Sequence, residues 1–103
     1  MKEYPEYLIF AVHRNTDQAA HIDKVKAFFH YHPEDRHNTT REYTKNQILE
    51  LMESGAICMT GIEQNGIYVP HERVLSITIY GYPYLKVHKD AEPRDDLGVV
   101  EEF

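Results

Sequence analysis

Cysteine is almost absent from this chain, tryptophan is wholly absent, and there is no long hydrophobic run. Cys58 is the only cysteine, so no disulfide can form within the chain. A Cys-poor globular sequence of this size fits a reducing compartment. No window approaches the roughly 18 apolar residues that a membrane span requires. The opening residues Met1-Lys2-Glu3-Tyr4-Pro5-Glu6 lack the basic-then-apolar run of a secretory signal. The expectation is a cytoplasmic protein with no membrane partner. A Gly-rich phosphate loop, a G-x-S-x-G elbow and a dinucleotide fingerprint are also missing, which disfavours the familiar nucleotide-dependent enzymes.

A basic excess is lacking too. The net charge is −6, and most of it sits in one place. Between 90 and 103 there are six acids, Asp90, Glu92, Asp95, Asp96, Glu101 and Glu102, against one base, Arg94. The rest of the chain is close to neutral. Phosphate neutralisation by a basic stripe supplies most nonspecific nucleic-acid affinity, so direct nucleic-acid binding is not expected here.

What is present suits one folded domain. The 103 residues are 42% hydrophobic and 27% charged, far from the composition of disorder and too few for two independent cores. Leu8 to Arg14 is a β-branched and aromatic run with apolar residues on both parities, as expected of a central strand. Ile22 to Tyr31 alternates, with Val25, Ala27, Phe29 and Tyr31 on one face, and should form a hairpin with it. Pro33 to Arg41 is polar and without periodicity, and reads as an exposed loop.

The clearest local signal follows. Thr44 and Gln47 match a capping box, Ile48, Leu49, Leu51 and Met52 form one apolar stripe, and Gly55 sits where a left-handed C′ residue belongs. A helix is predicted over Lys45 to Ser54. Ile57 to Glu63 resumes strand character up to the Asn65-Gly66 turn dipeptide. Ile67 to Val69 should return and be halted by Pro70. Val74 to Tyr80 and Tyr84 to His88 read as paired strands around a Gly81-Tyr82-Pro83 turn. The predicted class is α+β: a small antiparallel sheet in ββ-α-βββ order, a meander after the helix, and one helix packed on the sheet. Residues 1–89 make the domain, and 90–103 form an acidic segment partly docked on it through Leu97, Val99, Val100 and Phe103.

The stretches LIFAVHR, YTKNQILELMESG and YLKVHKDAEPRDDLGVVEEF together resemble the bacterial and phage family catalogued as domain of unknown function 3892. The resemblance covers Leu8 to Phe103 and is carried mainly by the helix and the C-terminal segment. It implies a compact α+β fold and a prokaryotic or phage source, and it brings no activity, cofactor or catalytic residue. The chain departs from the family pattern in its longer polar loop at Pro33 to Arg41 and in an added Val69-Pro70-His71-Glu72-Arg73 turn.

Candidate chemistry is sparse. His30 and His32 share a strand face, His37 is close in sequence and His13 lies on the neighbouring strand, so imidazole nitrogens could hold zinc. A solvated strand face is the plainer account, since no further ligand motif completes the set. Cys58 lies among Ile57, Met59 and Ile62, where a thiol behaves as a small buried hydrophobe, with a nucleophile as the alternative. His71, Glu72 and Arg73 with Asp95 and Asp96 offer acid and base groups that any surface loop could offer.

The eight tyrosines are more informative. Tyrosine joins a large contact area to a polar tip, which suits binding surfaces. Tyr80, Tyr82 and Tyr84, with Asp95 and Asp96, are the expected partner contacts; the alternative is that the tyrosines cap the edges of a small core. The favoured reading is a non-enzymatic binding or interaction module with a protein partner, self-association as a homodimer being one form of it. Two alternatives stand beside it. One is a small zinc-dependent enzyme using His30, His32 and His37, and the other a phage-type inhibitor whose acidic tail fills a basic groove on its target.

Overall fold

The computed structural model describes residues 5–15, 18–29 and 39–103. Among these residues, eight strands and one helix run in the order β1 (Tyr7–Asn15), β2 (Gln18–Phe29), β3 (Thr39–Thr44), α1 (Lys45–Glu53), β4 (Cys58–Gln64), β5 (Ile67–Arg73), β6 (Leu75–Ile79), β7 (Tyr82–Lys86) and β8 (Glu101–Glu102). The α+β class holds, with a mixed main sheet ordered β3-β2-β1-β4-β5 and a separate two-stranded sheet, β6-β7.

β1 lies at the centre. It pairs antiparallel with β2 on one edge. On the other edge it pairs in parallel with β4 over Tyr7–Ile9 and then with β8 over Ala11–Val12. A register shift between Ile9 and Ala11 switches the side-chain parity, as an inserted residue does. Tyr7, Ile9 and Val12 thereby all join the core with Ile22, Val25, Ala27, Ile48, Cys58, Val74, Leu85 and Leu97. Leu97 comes from the C-terminal segment and is 1% exposed. A leucine so placed typically costs about 2–5 kcal/mol when cut to alanine, so Leu97 docks the C-terminal segment on the core.

The helix is closed at both ends by local chemistry. The Gln47 amide donates to Thr44 Oγ1, and the Thr44 amide donates to Gln47 Oε1, completing the capping box. At the C-terminal end Gly55, at φ +100°, lets its own N–H reach the Met52 carbonyl while the Ala56 N–H reaches Leu51. This is the glycine-dependent Schellman arrangement. Ile48 and Lys45 are the buried residues of α1.

Several boundaries differ from expectation. Thr39, Thr40 and Arg41 are strand, not loop, because β2 offers a free edge that pairs Phe29 with Thr39 through Lys24 with Thr44. Residues 33–38 and Tyr31 lie outside the described residues. Pro70 does not halt β5: it faces Gly61 next to a register shift, and β5 is an outer strand, the setting in which a sheet accommodates proline. The expected meander divides, since β6 pairs only with β7 and not with β5. The turn between them is Tyr80-Gly81, and Pro83 falls inside β7 opposite Thr78.

Candidate partner-binding site

Among the described residues, the loops that close the β4–β5 and β6–β7 hairpins are each two residues long. In one, Gln64 pairs with Ile67 around Asn65-Gly66. In the other, Ile79 pairs with Tyr82 around Tyr80-Gly81. Both loops have positive φ at both central residues, 53° and 80° in the first and 51° and 76° in the second. That is the type I′ turn, whose twist matches the strands and whose first position favours Asn, Asp or Gly. Asn65 meets that preference and Tyr80 does not. An L-residue with a bulky side chain pays about 1–2 kcal/mol in the left-handed region, and the Tyr80 ring recovers nothing by burial, since it is 97% exposed.

From this tip the hairpin leads into a compact polar-aromatic cluster. Tyr82 is 51% exposed and Tyr84 is buried, and alternation puts both on one face of β7. The His21 ring stacks on Tyr84 at 5.5 Å with an interplanar angle of 16°, and lies 5.1 Å from Tyr82. The Lys45 ammonium sits 5.2 Å from the Tyr82 ring centroid and 5.1 Å from that of Tyr84, within cation–π range. A cleft of about 330 Å³ opens beside the cluster, lined by His21, Asp23, Thr44, Lys45, Asn46 and Tyr82 among others.

Beneath it, Asp95 is fully buried. Its Oδ2 accepts from the Ile22 N–H at 2.6 Å and from Lys45 Nζ at 2.9 Å, and its Oδ1 accepts from the Leu85 N–H at 2.8 Å. Its main-chain carbonyl accepts from an Arg14 guanidinium N–H at 3.1 Å. One residue thus ties β1, β2, α1 and β7. Three donors on one carboxylate satisfy a buried charge that would otherwise be prohibitive. Removing one partner of such a pair generally costs about 3–5 kcal/mol.

The expected partner contacts therefore separate. Tyr80 and Tyr82 are exposed, whereas Tyr84 and Asp95 are buried and turned to the interior. Asp96 keeps an exposed side chain, which accepts from the Gly98 N–H, while its backbone bridges to the hairpin. Lys45 and His21, which sequence reasoning does not single out, complete the cluster. A lysine at the first position of a helix opposes the positive end of the helix dipole, and that is the one local sign that Lys45 has a dedicated carboxylate.

The other candidates are placed as follows. His30, His32 and His37 lie outside the described residues. Among the described residues no group of three His, Cys, Asp or Glu side chains is arranged to hold a metal ion. His13 Nδ1 lies 3.6 Å from Asp23 Oδ2. Cys58 is buried, and desolvation, helped by the charge of Glu6, pushes its thiol up to about 11, away from the range of a reactive thiolate. Glu72 faces His88 at 3.6 Å, while its N–H donates to Thr60 Oγ1; His71 and Arg73 are exposed. Burial raises the phenols of Tyr7 and Tyr43, which meet edge-on at 5.6 Å as core residues. Among the described residues no helix is long and apolar enough to cross a membrane.

No curated protein and no solved structure matches the chain. A family model described as Protein of unknown function (DUF3892) matches residues 8–99, a span that contains β1 from Leu8 onward, the capped helix, the tyrosine hairpin and Asp95, and the chain belongs to that family.

Proposed function

We propose that this protein is a non-enzymatic binding module that acts in the cytoplasm and engages another protein through the end of the β6–β7 hairpin. The observation that carries the reading is Tyr80: a fully displayed aromatic ring held at a φ that disfavours it. Residues kept in a costly backbone conformation tend to serve function and not stability. The contrast with Asn65, which occupies the same position of the same turn in the same molecule, removes turn geometry as the reason for the tyrosine. Tyr82 extends the contact area, and tyrosine is among the residues enriched at interface centres.

The test is site-specific photo-cross-linking in cells of the native host. A cross-linkable residue replaces Tyr80 in one sample and Asn65 in another. The expected result is a discrete heteromeric adduct from position 80 and none from position 65. No adduct at 80, the same adducts at both positions, or only a covalent dimer of this chain would refute the proposal.

A further inference from the structure

We infer that residues 90–103 form a strap whose docking through Asp95 holds the β6–β7 hairpin in place and so regulates partner binding at its tip. The inference rests on the binding role of the tip proposed above. The hairpin forms its own sheet and shares no strand pairing with the main sheet. Much of its attachment runs through the strap. The Leu85 carbonyl accepts from the Asp96 N–H at 2.9 Å and the Val87 N–H donates to the Asp96 carbonyl at 3.1 Å. The Leu85 N–H donates to the Asp95 carboxylate, whose other oxygen takes the Ile22 N–H and the Lys45 ammonium.

The strap meets the body at a few discrete points. Residues 88–94 are all exposed, and among them Asp90 is tied to the body through the Lys86 ammonium at 2.6 Å. Asp95 and Leu97 are then fully buried, and β8 adds only two residues to the edge of β1. Arg14 reaches the strap twice, at the Asp95 carbonyl and at Glu102 Oε1. When the strap lifts, Lys45 and Lys86 lose the carboxylates that pair them, the Leu85 and Ile22 amides lose their acceptor, and the Lys45 ammonium is no longer fixed by Asp95 against the Tyr82–Tyr84 face. The main sheet keeps β1, β2, β3, β4 and β5 paired as before. Cutting or undocking the strap would therefore release the hairpin first, and a partner that reads Tyr80 and Tyr82 in one fixed arrangement would lose its surface.

Hydrogen exchange and cross-linking together test this on the full chain. Asp95→Asn retains the shape of the side chain and replaces one acceptor oxygen with an NH₂ group that faces donors. Amides of residues 75–87 and of Ile22 are expected to exchange at least about tenfold faster, with amides of the β1–β2–β3 region within about twofold of wild type. If that variant does not fold, Leu97→Ala loosens the strap at a different anchor and must show the same selective pattern. Uniform acceleration, or none, overturns the inference. A selectively loosened hairpin must also lower the yield of the adduct at position 80, and an undiminished yield overturns the regulatory step. Should wild type itself give no adduct at position 80, the binding role fails, while the exchange data still decide whether the strap holds the hairpin.

Discussion

Replacing Tyr80 with Asn will stabilise the folded protein while removing the ring most available to a partner. The turn at Tyr80-Gly81 has φ values of 51° and 76°, which asparagine adopts at little cost and tyrosine does not. Since Tyr80 is 97% exposed, the substitution forfeits almost no buried area, and the relief of backbone strain outweighs every other effect of the change. A gain of about 1 kcal/mol is expected, the lower part of the left-handed penalty for a bulky residue. For a domain of this size that is about 4 °C in Tm. It is also about 0.5 M in urea midpoint for a slope near 2 kcal/mol/M.

Thermal unfolding by circular dichroism and urea titration by tyrosine fluorescence give the two numbers. The mirror experiment is Asn65→Tyr, which puts the tyrosine into the other type I′ turn and should lower stability by about the same 1 kcal/mol. If Tyr80→Asn leaves the midpoint unchanged or lowers it, the ring makes stabilising contacts and the strain argument fails. A neutral Asn65→Tyr would fail it independently, because the two turns share their geometry.

Three further outcomes follow from Gly61, Cys58 and Asp90. Gly61→Ala should destabilise by about 1–3 kcal/mol, because a Cβ there would lie 2.8 Å from Leu8 Cγ and 2.9 Å from its Cδ2; Gly66→Ala meets no atom within 4 Å and is penalised by φ alone, so calorimetry should rank Gly61→Ala as the more damaging. Native Cys58 should resist iodoacetamide at pH near 8 and react fully once unfolded in urea, since its thiol is pushed up to about 11; rapid labelling of the folded protein would contradict its burial. Asp90 is held below its ordinary 3.8 by the hydrogen bond from the Lys86 ammonium first and the Glu92 N–H second. A folded value depressed in this way contributes stability that is present above the unfolded value and lost as pH falls through the folded one. Urea midpoints should therefore fall on acidification below about pH 4, with part of that fall missing in Asp90→Asn, and an identical acid profile in the variant would exclude the pair as its source.

The elements legible in the sequence are those whose cause is local. The helix needs only Thr44, Gln47 and Gly55, all within one turn of its ends, and the β4–β5 hairpin needs only Asn65-Gly66. The elements that escape a sequence reading depend on distant neighbours. Thr39 to Arg41 are strand because β2 has an open edge, a fact no local pattern carries. Pro70 stays in β5 because that strand is outermost. Sequence puts the turn of the tyrosine hairpin too late because Pro83 is a stronger turn signal than Tyr80, and the residue that turn chemistry least expects is the one that occupies the turn. Asp95 reads as one acid in an acidic run; its partners Ile22 and Lys45 are 73 and 50 positions away. The two buried members of the expected contact set, Tyr84 and Asp95, thus do lie near Tyr82 in space but turn toward the interior.

The charge of the C-terminal segment acquires a different meaning once its partners are known. Three of its six acids are matched by cations of the body: Asp90 by Lys86 at 2.6 Å, Asp95 by Lys45 at 2.9 Å and Glu102 by Arg14 at 2.9 Å. Lys86 is 1% exposed, and a buried ammonium without a counter-charge would be strongly destabilising. The body carries basic residues that need carboxylates, and the acidic segment supplies them across α1, β1 and β7. A free acidic arm would have to break these pairs to present its charge to a basic groove elsewhere, leaving Lys45 and Lys86 unpaired in the interior. The near-neutral body and the acidic end are therefore two halves of one electrostatic fit.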